Sequence, residues 1–174
     1  VTDSSNHRVL VFDVGSILDG ENAVKVLGQS TFTTNTSRTT VDGFYTPVAL
    51  AFDESADQLF VVDQNNFRMT AFNVSTTTIS DGENAQNILG QTDGSGGAVY
   101  TMAGIYDGAA QNGLYVPTDV VIDTVSHRMF VSELTGNRIL EYDLDNSNTL
   151  VDRHADHVLG QPDFLLTRSF INQY

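Results

Sequence analysis

The sequence contains no cysteine and no tryptophan, and it has only three prolines among its 174 residues. The absence of cysteine excludes disulfides, thiolate metal sites and cysteine nucleophiles. There is no run of 18 apolar residues that would form a membrane-spanning helix. Residues 1–3 lack the charged start and apolar core of a signal peptide, and they lie within an expected strand, so we expect a processed or truncated product.

Positive charge is also scarce in this chain. Eight Lys and Arg residues face 22 Asp and Glu residues, which gives a net charge of −14. Binding to nucleic acid or to anionic lipid depends on clustered Lys and Arg, so we expect no nucleic-acid partner and no membrane insertion. The richness in Thr, Ser and Asn, the single Lys25 and the absence of cysteine favour an extracellular or cell-surface location.

The main signal is an internal repeat. Three aligned copies begin at Val1, Val61 and Val131. Each copy carries an arginine in register and ends in Leu-Gly-Gln. The arginines are Arg8, Arg68 and Arg138, and the Leu-Gly-Gln segments are 27–29, 89–91 and 159–161. A further shared block ends at Phe60 and Phe130 in two of the copies.

Each copy consists of short apolar or alternating segments separated by turn residues, which predicts strands rather than helices. Residues 48–52 and 119–122 are the expected inner strands, and each copy continues through three further strands. Asn6, Asn66 and Gly136 occupy the turn before the third strand, where we expect positive φ. Four antiparallel strands per repeat is the unit of a β-propeller blade.

The pattern P-x-x-V-x-x-D, LFVVD, N-x-R and A-x-x-V-L-G-Q-P-D-F resembles the NHL repeat family. This resemblance implies a propeller, usually of six blades. We therefore predict an all-β propeller of NHL-type four-stranded blades, with about three blades in this chain. Residues 1–174 are expected to form a single repeat domain. Its repeats are 1–60, partial at its start, 61–130, and 131–174, also partial.

Three blades are too few to close a ring, which would leave unpaired strand edges. A donated strand from the tail would give twelve strands, so two chains would make six blades. The residues assigned to this assembly contact are Leu165, Thr167, Phe170 and Ile171. The alternative is a stretch cut from a longer propeller or fibre subunit.

Asp3, Asp63 and Glu133 each precede a repeated arginine by five residues, and we interpret the three pairs as structural ion pairs. A second group of ionisable residues has the spacing of metal ligands. Asp152, His154 and His157 are weak metal candidates, because His154 and His157 would point to opposite faces of a strand. The DGEN turns at 19–22 and 81–84 are candidate calcium sites, and no other cofactor is expected.

The long glycine-rich connection 92–113 is the expected binding loop, because loops on rigid scaffolds often carry binding residues. Its candidate contacts are Asp93, Tyr100, Tyr106 and Asp107.

We expect a non-catalytic binding or structural scaffold whose loops contact protein or glycan, and which self-associates by strand addition into a dimer or fibre. Among the expected inner-strand residues only Asp119 is ionisable, which favours this interpretation. The alternative, implied by the resemblance, is a metal-dependent lyase or lactonase-like propeller enzyme with its site in the central channel.

Overall fold

A computed structural model describes residues 1–93, 95–102 and 110–167, and these form three antiparallel sheets. Blade 1 has the strands β1 (Thr2–Asp3), β2 (Arg8–Val11) and β3 (Lys25–Leu27). Blade 2 has β4 (Pro47–Asp53), β5 (Gln58–Asp63), β6 (Arg68–Asn73) and β7 (Asn87–Leu89). Blade 3 has β8 (Pro117–Asp123), β9 (Arg128–Glu133), β10 (Arg138–Asp143) and β11 (His157–Leu159). The strands of each blade follow one another in chain order.

The blades stack face to face. Blade 1 begins at the second strand of the repeat, so β1 and β2 correspond to β5 and β6. β1 contacts β4, and β4 contacts β8. The residues of β5 alternate between the two interfaces, as the period of two in a strand requires. Leu59 and Val61 pack toward blade 1, whereas Phe60 and Val62 pack toward blade 3. Each of these buried side chains contributes about 1.5–3 kcal/mol. This arrangement confirms the predicted all-β, propeller-like fold.

The hairpins between the second and third strands depart from the prediction in one detail. Positive φ falls on His7, Phe67 and Asn137, one residue later than expected. In the first two blades a 3-10 turn, Ser4–Asn6 or Gln64–Asn66, occupies the preceding positions, and the left-handed residue closes it. The amide of Asn66 instead donates to the Asp63 carboxylate at 2.7 Å.

An ion pair between an arginine and an acidic residue, here called the arginine pair, organises each blade, and blade 2 shows its full set of bonds. Arg68 Nε lies 2.8 Å from Asp63 Oδ2, and both side chains are 0% exposed. Arg68 Nη2 donates to the carbonyls of Thr40 and Gly43, which precede β4. Its Nη1 donates to the carbonyl of Tyr100, which follows β7. One guanidinium therefore holds the connections on both sides of its blade.

The other two blades repeat the pair. In blade 3, Arg138 Nε lies 2.5 Å from Glu133 Oε2, and its other nitrogens donate to the carbonyls of Gly113 and Phe164. In blade 1, Arg8 Nε lies 2.7 Å from Asp3 Oδ2, but these side chains are 17% and 24% exposed. The prediction of a structural ion pair in every repeat is confirmed.

The Leu-Gly-Gln segments are explained by close packing between neighbouring chain segments. Gly28 has φ +86°, and a Cβ added to it would lie 2.1 Å from the Phe44 ring. Gly90 has φ +91°, and its added Cβ would lie 2.6 Å from the Phe67 carbonyl oxygen. Only glycine combines this backbone conformation with the absence of a side chain. The glutamine that follows donates to a hairpin carbonyl, as Gln29 does to His7 at 3.0 Å.

Replacing Arg68 with methionine should lower the free energy of unfolding by about 3–5 kcal/mol, because Asp63 would remain buried and unpaired. The matched change in blade 1, Arg8→Met, should cost clearly less, because water reaches that pair. Urea unfolding at pH 7 measures both values. Equal losses would show that burial of the pair does not set its contribution.

Two glycine-to-alanine changes separate backbone strain from steric overlap. Gly20 has φ +76° but nothing within 4 Å of an added Cβ, so Gly20→Ala should cost about 1–2 kcal/mol. Gly28→Ala adds displacement of the Phe44 ring, which raises the loss by a further 1–3 kcal/mol, roughly. Thermal unfolding of the two variants would contradict this account if their midpoints coincided.

Candidate functional site

Asp93 of the expected binding loop shapes a turn. Its Oδ1 accepts hydrogen bonds from Ser95 N, Ser95 Oγ and Gly97 N at 2.6–2.8 Å. These bonds lower the pKa of the Asp93 carboxyl below its usual value. One carboxylate oxygen is therefore engaged within the loop itself.

Tyr100 packs against the core between blades 1 and 2, and its carbonyl accepts from Arg68. Burial raises the pKa of its phenol. Tyr106 and Asp107 lie outside the described residues, as does the rest of segment 103–109. The backbone of the loop is thus hydrogen-bonded to Arg68 of blade 2. A binding role for the side chains of the loop stays a prediction.

The two histidines of the metal candidates have separate partners. His157 Nδ1 lies 2.7 Å from Glu141 Oε2, whereas His154 Nδ1 lies 3.7 Å from Asp152 Oδ1. Across residues 1–93, 95–102 and 110–167, no three His, Asp or Glu side chains are placed to share a metal ion. In the second DGEN turn, Asp81 accepts the Val26 amide at 3.0 Å and so joins blade 2 to blade 1.

The expected assembly segment is described only in part. Leu165 lies in a turn and is 75% exposed, and the Thr167 carbonyl accepts from Asn137 at 3.0 Å. Neither residue lies in a strand. Phe170 and Ile171 lie outside the described part of the chain.

Three residues that we did not predict to act together form a hydrogen-bonded chain at the end of the blades where β4 and β8 finish, here called the lower end. Asn148 Nδ2 donates to Asp53 Oδ2 at 2.7 Å. Asn148 Oδ1 lies 2.7 Å from His127 Nδ1. The assignment that satisfies both bonds places a proton on Nδ1 and leaves a lone pair on Nε2 of the neutral ring.

The local backbone explains how these residues meet. Asp53 ends β4, and its Oδ1 accepts from the Ser55 amide at 2.9 Å, as expected for an Asp that caps a turn. His127 and Asn148 both have positive φ, in the β8–β9 turn and in the connection after β10. The Leu144 amide donates to the His127 carbonyl at 2.8 Å, which holds the turn and the connection together.

The charge of Asp53 is stabilised by its partners. Burial of its carboxyl opposes ionisation, but hydrogen bonds from Ser55 and Asn148 outweigh burial and lower the pKa of Asp53. Asp53 is therefore an anion near neutral pH and a strong acceptor for Asn148.

A cleft adjoins this chain of residues. It has a volume of about 480 Å³ and is lined by Phe52, Asp53, Glu54, Ser55 and Thr124. Thr124 belongs to the same turn as His127, and Asp53 belongs to both the cleft and the hydrogen-bonded chain. A small molecule in the cleft would contact Asp53, which is linked through Asn148 to His127 by hydrogen bonds.

The hydrogen-bonded chain makes a pH-dependent contribution to stability. Because the folded-state pKa of Asp53 lies below its unfolded value, the contribution is complete above about pH 4 and is lost as the pH falls through the folded-state pKa. We expect Asp53→Asn to cost about 2 kcal/mol at pH 7 and less at pH 3. The matched variant Asp123→Asn changes an exposed turn residue in blade 3 and should have the smaller effect at pH 7. Urea unfolding at the two pH values tests this, and a pH-independent loss would contradict it.

In the part of the chain that the structure describes, no helix is long and apolar enough to cross a membrane.

Comparisons with known proteins give no family assignment. No family model matches the chain, and no curated protein matches it. A crystal structure from Bacteroides fragilis NCTC 9343, described as a "putative 6-phosphogluconolactonase", aligns with 14% identity and a TM-score of 0.40. The alignment covers 67% of this chain and 26% of the other, so the chain spans about a quarter of that protein.

One prediction is corrected by this comparison. The expected non-catalytic scaffold disagrees with the name that the matched structure bears, which is the name of an enzyme. The argument against a channel site concerns ionisable residues within the inner strands, whereas the candidate site lies in the turns at the ends of these strands.

Proposed function

We propose that this chain carries the catalytic site of a lactonase-like propeller enzyme, and that His127 acts there as the general base. The observation that supports this proposal is the chain of hydrogen bonds from Asp53 through Asn148 to His127, with Asp53 in the lining of an open cleft. The repeated sequence signature supports the narrower proposal that the blades are of NHL type.

The arrangement has the parts that general-base catalysis requires. A base must be held in one tautomer and one orientation, with its free nitrogen toward the reacting water. Asn148 accepts the Nδ1 proton of His127, and Asp53 fixes the orientation of Asn148. Asn148 and Asp53 are therefore positioning residues, and His127 is the group that exchanges a proton with the reactants.

In the proposed reaction, one water molecule adds to the lactone, and all of its atoms are retained in the product. His127 Nε2 takes a proton from water as the water oxygen bonds to the lactone carbonyl carbon. The bond between that carbon and the ring oxygen then breaks, and the imidazolium returns its proton to the departing alkoxide. The product is a hydroxy acid. We assign stabilisation of the transient oxyanion to the hydroxyl of Thr124, which lines the cleft.

The metal ion of the lactonase-like alternative does not fit the residues described here. His154 and His157 lie with different carboxylates, and no set of three ligands is present among the described residues. No step is therefore derived through a metal ion.

The test is acid release from δ-valerolactone, an uncharged substrate, in a pH-stat. The His127→Gln variant should lower kcat/KM at least a hundredfold, because general-base catalysis contributes about 10²–10⁴ in rate. Asn148→Ala should lower it less and change its pH profile, because the imidazole loses its fixed orientation.

The control is His154→Gln, which changes an exposed histidine outside the hydrogen-bonded chain. It should leave the rate unchanged. Wild-type hydrolysis at the uncatalysed rate, or equal rates for His127→Gln and wild type, would overturn the proposed function.

A further inference from the structure

An apolar groove lies at the lower end of blades 1 and 2 and shares one lining residue with the cleft of the proposed site. The groove has a volume of about 460 Å³. It is formed by strand residues of both blades and by the connections that follow β2 and β6. Its principal lining residues are Leu10, Phe12, Val14, Leu50, Phe52 and Val74.

Phe52 joins the two spaces, because it lines both the groove and the cleft. This side chain lies near the end of β4, directly before Asp53, and is 51% exposed. A molecule that occupies the cleft therefore meets the apolar ring of Phe52 and the carboxylate of Asp53, which is the first member of the hydrogen-bonded chain.

The two spaces differ in charge. Among the described residues, the side chains that line the groove are uncharged and Thr76 is the polar one, while the terminal ammonium of Val1 also lies there and donates to the Leu10 carbonyl at 2.8 Å. The cleft carries the carboxylates of Asp53 and Glu54, and its lining includes no cationic side chain. A phosphate group would be repelled by these carboxylates, whereas an uncharged ring with an alkyl chain would not.

We infer that the substrate is an uncharged lactone with an alkyl side chain, bound with its ring in the cleft and its chain along the groove. This inference rests on the proposed function and identifies the substrate class of that site. Three observations support it: the shared Phe52, the apolar side chains of the groove, and the acidic lining of the cleft.

The first experiment measures kcat/KM for δ-lactones with ethyl, butyl and hexyl side chains. Each methylene that enters the groove should raise kcat/KM about fourfold. Phe52→Ala and Val14→Ser should each flatten this dependence, and both residues are exposed enough for the variants to fold. The control Leu134→Ala, an exposed apolar residue outside the groove, should keep the wild-type dependence.

The second experiment measures binding without chemistry, by calorimetry with the corresponding alkyl δ-lactams, which resist hydrolysis. Affinity should rise with chain length in the wild type and less so in Phe52→Ala. Chain-dependent binding without any lactone hydrolysis would support the groove and overturn the proposed function.

Other results would distinguish the inference about the substrate from the proposed function. Hydrolysis and lactam binding that are both independent of chain length would overturn the inference about the substrate and leave the proposed function intact. Preference for a phosphorylated sugar lactone would also overturn it. In either case the groove would be assigned to packing against further protein.

Discussion

The buried pair between an arginine and an acid is the interaction on which this structure depends. A guanidinium offers five N–H donors in a fixed plane, and Arg68 uses them to bind Asp63 and three backbone carbonyls. These carbonyls belong to the segments that enter and leave blade 2. The Arg68 side chain thus holds the irregular connections on both sides of blade 2 in fixed positions. This explains how a chain without cysteine holds such connections in place.

Because the arginines bind backbone atoms, the connections tolerate different side chains. Arg68 contacts the carbonyls of Thr40, Gly43 and Tyr100, whereas Arg138 contacts those of Gly113 and Phe164. The turns at the lower end are not held by the arginines, and they differ among the blades. There the second and third blades bring together an aspartate, an asparagine and a histidine, so the arginine pairs and the candidate site lie at opposite ends of the same sheets.

The fold could be predicted from sequence because its determinants recur at a fixed spacing. Arg8, Arg68 and Arg138, with the repeated Leu-Gly-Gln, identify equivalent positions three times over. The candidate site has no such signal. Asn148 is 95 residues from Asp53, and the hydrogen-bonded chain of Asp53, Asn148 and His127 forms once. Its one trace in the sequence is a departure from the repeat, since Asp57 in blade 2 has the turn position and the positive φ that His127 has in blade 3.

The arginine pairs differ in burial, and the blades should therefore differ in how readily they unfold locally. In stacked repeats each unit is stabilised mainly by its neighbours, so local unfolding proceeds from the weakest unit. Asp3 and Arg8 are partly exposed, while the pairs of blades 2 and 3 are fully enclosed. Blade 1 is therefore the unit that detaches first during thermal fluctuations. The lower-end site lies between blades 2 and 3, so such transient openings leave its geometry in place.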